Sequence, residues 1–128
     1  MNSLKPVFDL SQSFYFEAAH TLNRSYDTKG SLRIHGHTYV AEVTVSGVPE
    51  SSTGMLVDLT LLREEIENVR SMLDHRFLDD IEALGPATLE NLAIFIGNQM
   101  KSKFNNLSSV KVERSISGDK CIMRLERI

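Results

Sequence analysis

Apolar and polar residues alternate over residues 7–19, and this alternation constrains the fold of the 128-residue chain more than any other feature. Side chains of a β-strand point to opposite faces in turn, so the pattern predicts a long strand with one apolar face. That face is formed by even-numbered residues, with Gln12 as the polar exception: Phe8, Leu10, Phe14, Phe16 and Ala18. His20 has the same parity and stands at the end of the predicted strand.

Residues 35–46 repeat the alternation and predict a second strand, separated from the first by a polar loop over residues 23–33. The apolar face of this strand comprises Tyr39, Ala41, Val43 and Val45, and its polar face comprises Thr38, Glu42, Thr44 and Ser46. His35 and His37 share the parity of the apolar face. We expect the two strands to be neighbours in the sheet.

Three of the four histidines in the chain therefore stand at the apolar-facing ends of two strands. In Ile34-His35-Gly36-His37-Thr38 both imidazoles project from one face, and His20 can supply a third nitrogen. Three nitrogen ligands with one open coordination position are typical of a catalytic zinc site. The alternative is a pair of polar loop residues, but burial of an unpaired imidazole on an apolar face is unfavourable.

Two amphipathic helices and two further strands are predicted after the second strand. Asp58 caps the first helix, and its apolar face carries Leu59, Leu62, Ile66, Val69 and Leu73. After a break at Gly85-Pro86, Thr88 caps the second helix and Asn105-Asn106 closes it, with Leu89, Leu92, Ala93, Ile96 and Met100 on the buried side. Val110 and Val112 begin a third strand, Ser117-Gly118-Asp119 indicates a hairpin turn, and Cys121, Met123 and Leu125 alternate along a fourth.

The predicted order is β-β-α-α-β-β, which places the chain in the α+β class as a single domain over residues 1–128. We expect a four-stranded, mainly antiparallel sheet with the two helices on one face. Such a sheet has two open edges, and pairing those edges between subunits is one way to satisfy them. The sequence therefore predicts a homo-oligomer.

Composition excludes several other classes of protein. No apolar run is long enough to cross a bilayer, and residues 1–6 lack the apolar core of a signal peptide. A net charge of -3 argues against a protein that binds nucleic acid by neutralising phosphates. The single cysteine, Cys121, cannot form an internal disulfide, so we expect a cytoplasmic protein. Its position on the apolar parity of the last strand indicates a buried, inert thiol.

Asp74 and His75 follow the end of the first predicted helix. One interpretation is a C-terminal turn in which the histidine interacts favourably with the helix dipole. The other is an acid–base pair, in which the carboxylate orients an imidazole that transfers protons near neutral pH.

Four motifs stand in a characteristic order: Phe16-Glu17-Ala18-Ala19-His20, His35-Gly36-His37-Thr38-Tyr39, Thr53-Gly54-Met55-Leu56-Val57-Asp58 and Leu73-Asp74-His75-Arg76. With them the chain resembles the 6-pyruvoyltetrahydropterin synthase family over nearly its whole length. The bacterial branch of that family is 6-carboxytetrahydropterin synthase of queuosine biosynthesis. The resemblance implies the tunnelling fold (T-fold), whose subunits join their sheets into a barrel, and a homo-oligomer built as a hexamer from a dimer of trimers.

The resemblance also implies a Zn²⁺ ion on His20, His35 and His37 that binds the side-chain hydroxyls of a pterin triphosphate. A divalent cation lowers the pKa of a bound hydroxyl and stabilises developing negative charge. Asp74 and His75 match the acid–base pair of the family. The activity implied is that of a 6-carboxy-5,6,7,8-tetrahydropterin synthase, a carbon–oxygen and carbon–carbon lyase acting on 7,8-dihydroneopterin triphosphate, with no nucleic acid or membrane as partner.

The chain departs from the family pattern at two positions. The catalytic cysteine that usually precedes the His-Gly-His motif by four residues is replaced by Ser31, and a hydroxyl is a much poorer base than a thiolate. Asp27 is the nearest carboxylate in the same loop and is a candidate replacement. The glutamate that usually binds the pterin ring aligns with Arg114, which leaves Glu113, one residue earlier, as the candidate substrate-binding residue.

Two other interpretations stay open. In the first, the product of the reaction is that of a 6-pyruvoyltetrahydropterin synthase or of a pterin aldolase. Alternatively, the chain is a catalytically impaired paralogue that binds metal and pterin, as Ser31 suggests. The intact pair of Asp74 and His75 favours an enzyme, because a binding protein has less need of a proton-transfer group.

Overall fold

Two thirteen-residue strands, β1 (Phe8–His20) and β2 (His35–Gly47), form the centre of the fold as an antiparallel pair. The computed structural model describes residues 3–22, 29 and 32–126. Along these residues the further elements are α1 (Leu59–Leu73), β3 (Arg76–Phe77), two 3₁₀ turns (Leu78–Asp80 and Glu82–Leu84), α2 (Leu89–Met100), β4 (Leu107–Arg114) and β5 (Asp119–Arg124).

The strands form one sheet in the order β3-β1-β2-β4-β5. Its antiparallel part agrees with the predicted four strands, but the sheet has five strands because β3 adds a short parallel pair to the end of β1. In that pair Arg76 lies opposite Ala18, and Phe77 lies opposite Ala19. The mixed sheet thus holds the segment after α1 against the last residues of β1.

Both helices pack on the face of the sheet that the alternation predicts to be apolar. The strands contribute Phe16, Ala18, Tyr39, Ala41, Val43, Val45, Val110 and Val112 to this core, and the helices contribute Leu62, Ile66, Val69, Leu73, Leu92, Ala93, Ile96 and Met100. Burial of this apolar surface is the main favourable contribution to folding. The α+β arrangement with both helices on one face is therefore confirmed.

The two predicted helix caps are present. The side chain of Asp58 accepts a hydrogen bond from the backbone N–H of Thr60, and the Thr88 hydroxyl accepts one from the N–H of Asn91. Neither helix among the described residues is long and apolar enough to cross a membrane. The caps fix where each helix begins.

The predicted end of the second helix at Asn105-Asn106 is wrong, because α2 ends at Met100. The backbone N–H groups of Lys103 and Phe104 both donate to the carbonyl oxygen of Met100, each at 3.1 Å. This turn brings Phe104 into the core, where it is 8% exposed. It also allows β4 to begin at Leu107, three residues before the predicted strand.

Candidate metal centre and active-site cavity

The paired ends of β1 and β2 bring the three predicted histidines together. His20 lies directly opposite His35 in the antiparallel register, and His37 lies opposite Ala18. One ring nitrogen from each histidine lies within 4.8 Å of the others. The ring centroid of His20 is 4.4 Å from that of His35 and 5.0 Å from that of His37. The cluster can therefore hold a single metal ion with three nitrogen ligands.

His20 has the environment expected of a metal ligand. It is only 2% exposed, and both of its ring nitrogens are buried without a hydrogen-bond partner among the described residues. Burial of an unpaired polar group is unfavourable, so a metal ion would supply the missing interaction. The Nδ1 atom of His35 lies 2.7 Å from the carbonyl oxygen of Arg33, which leaves its Nε2 atom available for a metal.

Two histidines of the cluster have lowered pKa values. Burial lowers the pKa of His37 to about 4, and the positive charge of Arg114 acts in the same direction. Burial likewise lowers the pKa of His20, with further contributions from His35 and Arg114. His20 and His37 are therefore neutral at pH 7, and a neutral imidazole is the form that binds metals.

Arg114, the last residue of β4, contacts the cluster directly. Its Nη1 atom lies 3.4 Å from Nε2 of His37, and its Nη2 atom lies 3.1 Å from Oδ2 of Asp119. The Nε atom of Arg114 is buried and has no hydrogen-bond partner in the described part of the chain. A guanidinium thus lies beside a candidate metal ligand with part of its donor capacity unused.

Asp74 and His75 form the expected pair just beyond the end of α1. Oδ2 of Asp74 lies 2.9 Å from Nδ1 of His75 and 3.2 Å from a guanidinium nitrogen of Arg70. The other carboxylate oxygen accepts the backbone N–H of Glu17 at 2.9 Å. This bond from Glu17, followed by the one from His75, lowers the pKa of Asp74. The carboxylate is therefore ionised at neutral pH and fixed relative to β1.

A cavity of about 720 Å³ is bordered by one member of this pair and by one member of the histidine cluster. Its lining includes Glu17, His37, His75, Arg76 and Arg114. The His75 side chain is 76% exposed, so its ring is accessible to a bound molecule. A smaller cavity of about 200 Å³ lies at the start of α2 and includes His20, Glu90 and Arg114 in its lining. His37 and His75 thus border the same cavity, and Arg114 lines both cavities.

Two of the other predicted residues, Asp27 and Ser31, lie outside the described residues. Glu113 lies on the face of the sheet opposite the histidines, with its Oε1 atom 3.6 Å from Nζ of Lys111. Cys121 lies on β5 and is only partly buried, so the prediction of a buried thiol is wrong. This partial burial still raises the pKa of its thiol, which makes the thiol less reactive.

Arg114 and Arg76 are parts of the cavity that the sequence did not identify as functional. Arg114 has the parity of Val110 and Val112, which is the sequence signal that indicates the inner face of the sheet. Arg76 gave no comparable signal, because the two residues of β3 are too few to show a period. Its position depends on the pairing of β3 with β1.

Comparison with known proteins identifies the relatives of this chain. A sequence profile of the family described as "6-pyruvoyl tetrahydropterin synthase" matches residues 9–124. The 6-pyruvoyl tetrahydrobiopterin synthase of Drosophila melanogaster is 35% identical over 113 residues, which cover 77% of this chain and 67% of that protein. The 6-carboxy-5,6,7,8-tetrahydropterin synthase of Bacillus subtilis is 34% identical over 76 residues, which cover 59% of this chain and 49% of that protein.

The fold has a similar counterpart among solved structures. The structure of Caenorhabditis elegans 6-pyruvoyl tetrahydropterin synthase superimposes with a TM-score of 0.81 and 26% sequence identity. The superposition covers 94% of this chain and 97% of the Caenorhabditis chain. The predicted tunnelling fold is therefore confirmed.

Proposed function

This chain belongs to the 6-pyruvoyl tetrahydropterin synthase family, and we propose that it is a zinc-dependent lyase that acts on 7,8-dihydroneopterin triphosphate. The proposed product is 6-carboxy-5,6,7,8-tetrahydropterin, an intermediate of queuosine biosynthesis. The observation that carries the proposal is the shared cavity, in which His37 of the histidine cluster and His75 of the acid–base pair both take part.

We propose that His20, His35 and His37 hold the zinc ion. Three imidazoles with an open position match the donor set of catalytic zinc, and the buried, unpartnered His20 ring supports this assignment. When bound, Zn²⁺ would lower the pKa of a coordinated substrate hydroxyl and stabilise negative charge on its oxygen. The carbonyl oxygen of Arg33 would fix the orientation of the His35 ring, as such backbone contacts do in metal sites.

His75 is the proposed proton-transfer group, and Asp74 is the residue that orients it. Because Nδ1 of His75 faces the Asp74 carboxylate, the proton of the neutral ring is held on Nδ1. The Nε2 atom is then free to accept a proton from the substrate and to return it to another atom. The negative charge of Asp74 also stabilises the imidazolium formed when His75 accepts that proton.

Three further assignments complete the proposal. Asp27 replaces the cysteine base of the family, and Ser31 occupies the position of that cysteine. Glu113 binds the pterin ring, which requires that its face of the sheet meets a neighbouring subunit. The protein is accordingly proposed to be a cytoplasmic homo-oligomer, a hexamer built as a dimer of trimers. β5 is an edge strand of the sheet formed by the described residues, and its outer edge offers one surface for such assembly.

A 6-pyruvoyl tetrahydropterin synthase is the second candidate function, and the Drosophila relative favours it. Both candidates use the same metal ligands and the same proton-transfer pair, so the site does not separate them. A pterin aldolase activity and a catalytically impaired binding paralogue are the other possible outcomes.

Product analysis tests the proposal and separates these candidates. Zinc-loaded protein is incubated with 7,8-dihydroneopterin triphosphate, and the products are identified by mass spectrometry. We expect carboxytetrahydropterin; a pyruvoyl product would support the second candidate, and released glycolaldehyde would indicate an aldolase. Binding without conversion would exclude all three enzymes and leave the binding paralogue.

Metal analysis tests the ligand assignment independently of activity. His20→Ala, His35→Ala and His37→Ala should each lose stoichiometric zinc on dialysis, as measured by elemental analysis. His75→Ala is the matched control and should retain zinc, since its ring is paired with Asp74 outside the cluster. Full zinc retention by the three cluster variants would contradict the assignment.

A further inference from the structure

We infer that Arg114 and the metal held by the histidine cluster together bind one oxyanion of the substrate, either a phosphate or a carboxylate. The inference deepens the proposed function and rests on its metal site, but not on the identity of the product. It makes Arg114 a specificity-determining residue for an anionic group next to the metal.

The position of Arg114 relative to His37 is the first argument. Its Nη1 atom lies 3.4 Å from Nε2 of His37, one of the three histidines of the cluster. A metal held through Nε2 of His37 would remove the acceptor of Nη1. The guanidinium then has two donors to offer a ligand, because its Nε atom is already without a partner among the described residues.

The charges around Arg114 are the second argument. Asp119 pairs with Nη2 of Arg114, but the carboxylate also accepts the Ser117 hydroxyl at 2.9 Å and is 53% exposed. The acidic residues that line the two cavities are Glu17, whose Oε1 accepts the Thr38 hydroxyl, and Glu90. Asp79 also acts electrostatically on His20, but its carboxylate accepts the backbone N–H of Thr21. A divalent cation beside the guanidinium would therefore add positive charge that these carboxylates offset only in part. A bound oxyanion would relieve that repulsion.

The hydrogen-bonding chemistry of arginine is the third argument. A guanidinium has five N–H donors and no acceptor, so it cannot bind a donor edge such as the amide and amine edge of a pterin ring. Its planar donor groups match the two oxygens of a carboxylate or phosphate. The residue aligned with the ring-binding glutamate of the family thus has the opposite recognition chemistry in this chain.

Anion binding to the cobalt-loaded protein tests the inference without measuring turnover. Co²⁺ replaces Zn²⁺ as a visible probe of the open coordination position, and inorganic phosphate or acetate is titrated in. We expect spectral saturation with at least one anion, and a dissociation constant at least tenfold higher for Arg114→Gln. Tighter phosphate binding would identify a phosphate as the natural group, and tighter acetate binding would identify a carboxylate.

Arg124→Gln is the matched control, because this substitution also removes one positive charge, but from a residue outside the lining of the cavity. Arg124 lies on β5 opposite Ser109. The Arg124→Gln variant should bind the anions within twofold of the original protein, while Arg114→Lys should be intermediate because it keeps the charge but loses the planar donors. Equal affinities for Arg114→Gln and the original protein would overturn the inference.

The same experiment separates this inference from the metal assignment. Cobalt uptake with no response to either anion would overturn the inference and leave the metal site intact. Failure of the original protein to take up cobalt would overturn both. Unchanged phosphate affinity in metal-free His35→Ala, measured by calorimetry, would show that Arg114 acts without the metal and would also overturn the inference.

Discussion

Nδ1 of His75 lies 2.9 Å from Oδ2 of Asp74, and the opposite oxygen of that carboxylate is bound to the backbone of β1 at Glu17. The backbone N–H of His75 donates to the carbonyl oxygen of Glu17 at 2.6 Å, so the pair is tied to β1 twice. Because β1 also carries His20, the proposed proton-transfer group and the proposed metal site are positioned by one strand.

Asp74→Asn should reduce turnover by about 10²-fold without loss of bound metal, since the amide cannot hold the His75 ring in one tautomer or stabilise its charged form. Turnover and zinc content are measured on the same preparation. Asp80→Asn, in an exposed part of the first 3₁₀ turn, is the control and should leave both unchanged. Loss of zinc in Asp74→Asn would show that the carboxylate supports the metal site instead.

His75 has a positive φ of 58°, a conformation that side chains with a Cβ rarely adopt. His75→Gly should therefore be more stable than His75→Ala by about 1 kcal/mol, although both variants should lose activity. Chemical denaturation of the two variants measures the difference. Gly54→Ala is the reciprocal control, because Gly54 has a φ of 69° and no atoms within 4 Å of an added Cβ. It should be destabilised by a similar amount, and a stable Gly54→Ala would undermine the backbone argument.

The metal-free protein should become less stable as the pH falls from 6.5 to about 4. In the unfolded chain a histidine binds its proton near pH 6.5, whereas folded His37 has a pKa of about 4. Between these values the unfolded state binds more protons, so stability rises with pH and falls with acid. The lowered pKa of His20 acts in the same direction. The lowered pKa of Asp74 affects stability only below pH 3.8, the ordinary pKa of its carboxyl group. There, protonation of the folded carboxylate removes the hydrogen bonds that favour its ionised form, and stability falls further.

Denaturant titrations of the chelator-treated protein at about pH 7.5, 6.5, 5.5 and 4.5 measure how the free energy of unfolding depends on pH. His37→Gln should flatten the profile, since its amide does not titrate. If the free energy of unfolding stays constant or rises as the pH is lowered from 6.5 to 4.5, lowered histidine pKa values do not control the stability of the metal-free protein.

Leu62→Ala should lower the free energy of unfolding by about 2–5 kcal/mol, because Leu62 is fully buried between α1 and the sheet. The neighbouring Leu61 is 56% exposed, so Leu61→Ala should cost less than about 0.5 kcal/mol. Thermal and denaturant unfolding of both variants measure the contrast. Similar losses in the two variants would mean that the first helix packs on the other side.

Most of the fold could be predicted from periodic features of the sequence. The parity that placed His20, His35 and His37 on one face follows from thirteen-residue strands, over which alternation is unambiguous. The caps at Asp58 and Thr88 could be read because each side chain bonds to a backbone N–H only two or three residues away. Such local determinants need no knowledge of the tertiary structure.

The features that escaped prediction depend on contacts between distant residues. β3 forms because the chain after α1 meets Ala18 and Ala19, more than fifty residues earlier, and two residues have no detectable period. The helix α2 ends earlier than predicted, and the turn that follows it buries Phe104. No local sequence pattern indicated this burial. Likewise, the parity of Arg114 showed its face, but its contact with His37 results from the pairing of β2 with β4.

The short parallel pairing of β3 with β1 has a consequence for engineering. It joins the segment of Asp74 and His75 to the same strand end that carries His20, through the pairs Ala18–Arg76 and Ala19–Phe77. Transplanting the histidine cluster alone into another scaffold would leave the proposed proton-transfer pair without the strand that positions it. A design that transfers this site to another protein must therefore include three segments together: the end of β1, the start of β2 and residues 74–77.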